Sequence, residues 1–120
     1  MSTPTEPEKN GPLTPAVFHI LLALADGERH GYAIMQEVAH NTNGQMEMGP
    51  GTLYGTIKRL LAADLIEESD ERPDPKLDDE RRRYYRLNPS GQRVLLAEVN
   101  RMNNLVKVAR SKQLVKQTPV

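Results

Sequence analysis

Apolar residues recur along this chain first at a helical period, then briefly at the period of a strand, then again at a helical one. Val17, Ile20, Leu21 and Leu24 fall three, four and seven residues apart behind Thr14 and Pro15, which supply an N-cap and a first-turn proline. A first helix is therefore expected, closed near Asp26-Gly27. His30-Gly31-Tyr32 opens a second, with Ile34 and Val38 on its inward stripe beside Met35 and Ala39, and Asn41-Thr42-Asn43-Gly44 ends it. Residues 45–51 form a linker with two glycines around Pro50. A third helix starts at Gly51 or Thr52 and turns Leu53, Ile57, Leu60 and Leu61 to one side. At about 100° per residue, Thr52, Gly55, Lys58, Arg59 and Ala62 fall on the other side, with Tyr54 at the edge.

Beyond the third helix the period changes. Leu65 to Glu68 and Arg83 to Leu87 are expected to be short strands, the second with Tyr85 and Leu87 on one face, and Pro73 and Pro75 keep the polar stretch between them out of any ladder. Asn88-Pro89 repeats the cap-plus-proline signal. A long helix follows to about Lys116, with Leu95, Val99, Met102, Val106 and Ala109 spaced alternately four and three apart. The division expected is a disordered tail over residues 1–12, a DNA-binding domain over 13–87, a dimerisation helix over 88–116 and a short tail over 117–120. The fold class is mainly α with a small β-hairpin. Helix, helix, turn, helix and hairpin is the order of a winged helix-turn-helix, which sets one helix in the major groove.

Charge sharpens this picture through its distribution. Lys and Arg together number 16, as do Asp and Glu, so the chain has no net attraction for a polyanion. Acids crowd residues 67–80, and from Arg81 onward Glu98 is the only acid. The outward face of the third helix carries Lys58 and Arg59 and no acid. A groove about 12 Å wide admits such a helix, and long cations on it reach phosphates or guanine edges. Gly51 and Thr52, at its start, offer free amides to a phosphate. Arg81, Arg82 and Arg83 at the base of the hairpin are the remaining cationic candidates, since the hairpin tip is acidic. Each has a blander reading: surface Lys and Arg are usually solvated, and the three arginines could simply balance the acids before them.

Other chemistries find little footing. Cysteine is absent, which removes disulfides, thiolate nucleophiles and Cys-ligated zinc. His19, His30 and His40 have no partners at metal spacing, and Asp78, Asp79 and Glu80 lack the spacing of a calcium loop. No glycine-rich phosphate loop or nucleophile-base pattern suggests an enzyme. No cofactor is expected. Met46 and Met48 could line a pocket or fill gaps in a core. No apolar run approaches the ~18 residues of a membrane span, and a cytoplasmic location is the simplest expectation. A helix from Pro89 to Lys116 would run about 40 Å, longer than a core of this size can cover. Its stripe at Leu95, Val99, Met102, Val106 and Ala109 therefore calls for a second copy of the chain, the other reading being that it packs within the chain on the first helix; a two-fold dimer would place two third helices about 34 Å apart on a palindrome.

Three blocks, HGYAIMQEV, GPGTLYGTIKRLLAADLI and RRRYYRLNPSGQRVL, resemble the signature blocks of PadR-type transcriptional regulators, in that family's order and spacing. The resemblance implies a winged helix-turn-helix with a C-terminal dimerisation helix, repression as the usual function, and in some members release from DNA by a small molecule. It also implies DNA contact by Tyr32, Thr52, Tyr54, Lys58 and Arg82 or Arg83. The expected partners are double-stranded DNA, a second copy of the chain and an unidentified effector. With no tryptophan, an effector site would have to use tyrosines, Phe18 and methionines. Gly55 stands where the family commonly has proline, Asp64 where it has glycine and Asn88 where it has threonine. The acidic tip leaves one rival from another class: a winged-helix module that docks a protein and binds no DNA.

Overall fold

The computed structural model of the chain describes residues 12–69 and 83–115. The expected tail over 1–11, the acidic tip with Arg81 and Arg82, and everything after 115 lie outside the described residues. The elements run α1 (Pro15–Ala23), β1 (Arg29–His30), α2 (Gly31–Asn41), α3 (Pro50–Ala62), β2 (Ile66–Ser69), β3 (Tyr84–Leu87) and α4 (Pro89–Ser111). This is a winged helix-turn-helix with a long C-terminal helix.

Three of the four helices begin on a side-chain cap, which supplies an acceptor that the first turn lacks. Thr14 accepts from the Val17 amide at 3.3 Å, His30 Nδ1 from the Ala33 amide at 3.2 Å and Asn88 from the Gly91 amide at 2.7 Å. The exception is α3. It begins at Pro50, one residue before the expected start, because proline fits a first helical position whose N–H has no helical partner. Its N-cap, Gly49, has no side chain to offer.

Three helices end alike. In α2, α3 and α4 the residue after the C-cap takes positive φ: Asn43 at 53°, Asp64 at 59° and Gln113 at 63°. The next amide then reaches back to the helix, Gly44 to Ala39 O at 2.7 Å, Leu65 to Leu60 O at 3.0 Å and Leu114 to Ala109 O at 2.9 Å. These Schellman closures satisfy carbonyls that a helix end leaves orphaned. The last of them stops α4 at Ser111, short of the expected Lys116. Likewise α1 stops at Ala23, and residues 24–26 turn rather than continue the helix.

The sheet has three strands, ordered β1-β3-β2 and antiparallel throughout, where a two-stranded hairpin was expected. At two residues β1 is too short to leave a period in the sequence. It is held by Arg29, whose Nε donates to the Ala23 carbonyl at 2.8 Å and whose guanidinium pairs with Asp26 at 3.2 Å and Glu37 at 3.6 Å. The end of α1, strand β1 and helix α2 are thereby tied at one point. The added strand also explains why Tyr84 and Tyr85 are both buried although their side chains alternate: His30 in β1 covers Tyr84 edge-on, with ring centroids 5.3 Å apart.

Helix α1 packs against α2, α3 and α4, and the core forms around it. Ile20, Leu21, Ile34, Val38, Leu53, Leu60 and Leu65 have no exposed surface. The expected inward stripes of α1, α2 and α3 thus meet. Met48 fills this core and Met46 packs on it, the gap-filling use of the two. Glu98 is buried as well: its carboxylate accepts from the Leu13 amide at 3.0 Å and pairs with Arg101 at 2.9 Å, fastening α4 to the segment that leads into α1.

Candidate nucleic-acid interface

The outward face of α3 is open along its length. Gly51, Thr52, Tyr54, Gly55, Lys58, Arg59 and Ala62 are all exposed, while Leu53, Thr56, Ile57 and Leu60 are buried. Thr56 was not foreseen on the inner side. Its hydroxyl accepts from the Arg59 guanidinium at 3.2 Å, a bond that lets a polar group sit in the core and steadies a cation on the surface. Gly49 leaves the Gly51 and Thr52 amides without a side-chain cap, so the positive end of the helix dipole is open at the exposed face.

The other candidates gather beside this helix. Tyr54 lays its ring over Gly31 at the start of α2, where an added Cβ would overlap the phenol oxygen and come within 2.8 Å of the ring. Tyr54 remains 50% exposed, and Tyr32, one residue further on, is 59% exposed. Both tyrosines are thus surface side chains, Tyr54 with the phenol end of its ring resting on Gly31. The glycine between His30 and Tyr32 is what brings the first two signature blocks into contact.

The stem of the wing is electrically balanced. Glu67 lies opposite Arg86 and pairs with it at 3.4 Å, and Glu68 pairs with Arg83, also at 3.4 Å. Arg83 keeps 70% of its side chain exposed. Such exposed pairs are worth about 0–1 kcal/mol, so Arg83 can exchange Glu68 for a phosphate at little cost. Burial raises the Tyr85 hydroxyl above its ordinary 10.0; the Glu68 carboxylate and Tyr54 add to this and Arg83 opposes it. Arg81 and Arg82 lie outside the described residues.

Helix α4 divides in two. Val94 and Leu95 belong to the chain's own core, so Leu95 is not part of an exposed stripe as expected. Glu98 is its last buried residue, and beyond it Val99, Met102, Leu105, Val106 and Val108 are exposed and Ala109 is half-buried. Leu105 and Val108 were not foreseen, because they fall outside the strict four-three spacing. A shallow groove of about 400 Å³ near the start of α4 is lined by Pro89, Gln92, Arg93 and Leu96, none of them an expected effector contact. Among the described residues no group of three or more His, Asp or Glu could hold a metal, and no helix is long and apolar enough to cross a membrane.

Fold and face together define a winged helix-turn-helix protein of the DNA-reading class. The profile of the "Transcriptional regulator PadR-like family" matches residues 20–97, and the chain belongs to that family. The family's members are transcriptional regulators and not enzymes. The transcriptional regulator Rv3488 of Mycobacterium tuberculosis is 35% identical over 89 residues, covering 74% of this chain and 77% of that protein. An uncharacterised 37.1 kDa protein from transposon TN4556 of Streptomyces fradiae is 36% identical over 86 residues; the match covers 72% of this chain and 22% of that longer protein. Among solved structures, Bordetella bronchiseptica BpsR, whose DNA binding is regulated by 6-hydroxynicotinic acid, superposes with a TM-score of 0.62 at 27% identity. That match covers 80% of this chain and 60% of BpsR.

Proposed function

We propose that the chain is a homodimeric repressor in the cytoplasm that recognises a palindromic operator through α3 and leaves DNA when a small molecule binds. The observation that carries this is the acid-free exposed face of α3, flanked by Tyr32, Tyr54 and Arg83 and opening on an uncapped helix start. Lys58 and Arg59 reach phosphates or base edges, Gly51 and Thr52 hold a phosphate through backbone amides, and the two tyrosine hydroxyls bond neighbouring phosphates. Arg81 and Arg82, next to Arg83 in the sequence, add further cations. Dimerisation is supported by the exposed apolar residues from Val99 to Val108, and effector release by the behaviour of BpsR. The purified protein is titrated against its own upstream DNA and a scrambled duplex at fixed salt; equal affinity for both sinks the proposal.

One observation favours a second reading. With Glu67 and Glu68 paired to Arg86 and Arg83 and an acidic tip beyond, the wing suits a basic protein surface better than DNA. A single stoichiometric protein partner together with no DNA retardation at low salt would establish that alternative.

A further inference from the structure

The end of α3 and the start of α4 meet at a joint in which Asn88 uses every polar group it has. Its backbone N–H donates to the Leu65 carbonyl at 3.2 Å and its own carbonyl accepts from the Gln92 amide at 3.0 Å. Its side-chain oxygen accepts from the Gly91 amide at 2.7 Å, and its side-chain amide donates to the Asp64 carbonyl at 2.7 Å and carboxylate at 3.2 Å. This orientation of the amide is forced, since Gly91 presents only a donor and Asp64 only acceptors. Asp64 is itself held at φ 59° by the Schellman closure of α3, and Gly91 rests against the Leu65 carbonyl that receives Asn88.

Building on the dimeric reading above, we infer that Asn88 and Asp64 are a positioning pair that fixes the angle between α3 and α4 and thereby the half-site spacing the dimer reads. Geometry gives the pair its leverage. A helix of 23 residues is about 35 Å long, so a change of roughly 5° at its first turn moves the far end by about 3 Å. One base pair rises about 3.4 Å, so a few degrees at the joint shift a recognition helix by nearly one base step. The free half of α4 has no core to correct such an error. Neither residue contacts DNA in this scheme; both act through the placement of α3.

The test uses the full chain with its operator and versions in which one base pair is inserted between the half-sites or removed. Asn88→Ser keeps an oxygen to cap Gly91 and loses the donor to Asp64. Compared with wild type, it should bind the best operator about three- to tenfold more weakly, as expected for a lost hydrogen bond. It should also flatten the preference among spacings, while sedimentation still shows the wild-type oligomer. Asp64→Asn, which retains an acceptor and tolerates positive φ, should keep the wild-type spacing profile. A folded Asn88→Ser with unchanged affinity and spacing preference overturns the inference, as does weakened binding explained by dissociation of the dimer. Should Asn88→Ser not fold, Asn88→Asp is scored by the same criteria, since it keeps the oxygen that caps Gly91 and turns an acceptor instead of a donor toward the Asp64 oxygens. Wild type that does not distinguish operator from scrambled DNA refutes the underlying regulator reading instead, so the two failures are separable.

Discussion

Replacing Gly91 with alanine should destabilise the chain although alanine is the better helix former. A Cβ at this position would overlap the Leu65 carbonyl oxygen, lie 3.0 Å from its carbon and press on Leu87 Cδ2 at 3.3 Å. The first two contacts are with backbone, which cannot step aside as a flexible side chain can. Forcing extra volume into a packed site costs about 1–3 kcal/mol. Pushing α4 away also strains the bond from the Asn88 amide to the same carbonyl, another 0.5–1.5 kcal/mol or so. Against these stands a gain of at most about 1 kcal/mol in helix propensity, since glycine is that much poorer than alanine. The net loss should be about 0.5–3.5 kcal/mol, which lowers the urea midpoint by roughly 0.3–1.8 M at an m-value of about 2 kcal/mol/M. With no tryptophan in the chain, circular dichroism is the suitable probe, at fixed protein concentration because oligomerisation shifts apparent stability. Gly55→Ala is the matching control: Gly55 lies inside α3 with nothing within 4 Å of an added Cβ, so its midpoint should rise, by up to about 1 kcal/mol in stability. A Gly91→Ala midpoint equal to or above wild type would refute the packing argument.

Other expectations follow from the exposed face and the buried phenol. Lys58→Ala should weaken operator binding and reduce the dependence of log K on log salt by about one unit, and an unreduced slope would remove Lys58 from the phosphate contacts. Gly31→Ala should displace Tyr54, whose overlapping atoms are the far end of an exposed side chain; little change in thermal midpoint with severalfold weaker DNA binding is expected, whereas unaltered binding would leave Tyr54 without a role. Val106→Glu should halve the sedimenting mass with helicity kept, and an undiminished mass would place the interface elsewhere. Tyr85 has a folded pKa above its unfolded 10.0, so its contribution to stability is full below pH 10 and is lost as pH rises through the higher folded value. Tyr85→Phe should remove a late step from an ultraviolet titration of the phenols, and an unchanged titration curve would refute the raised value.

Much of this architecture could be read from spacing alone, because a helix that buries one face must repeat its apolar residues at the helical period. The stripes of α1, α2 and α3 meet in the core as expected. What escaped notice has no period. Strand β1 is two residues long and owes its place to Arg29, whose bonds to Ala23, Asp26 and Glu37 are set by the tertiary fold. The same holds for Glu98, which looked like a stray acid in a basic segment and is a buried link to Leu13. Periodicity misassigned Leu95 because a stripe does not say what covers it; the first turns of α4 lie on the core and only the later ones are bare. The exposed face of α3 was legible residue by residue, since an amphipathic helix with its inner face known has its outer face known too. The contact of Tyr54 with Gly31 was not, although a glycine next to an exposed tyrosine was a signal that backbone space was needed there.

The stop at the end of α4 bears on how such a protein can change over time. Gln113 sits in a left-handed conformation that costs an ordinary L-residue about 1–2 kcal/mol, without the local side-chain bonding that lets Asn or Asp settle there. Glycine at 113 would set the stop firmly, whereas a residue that favours winding on would weaken it, each added turn lengthening the helix by about 5.4 Å. The length of α4 is therefore a trait that a single substitution can adjust without touching the core or the exposed face of α3.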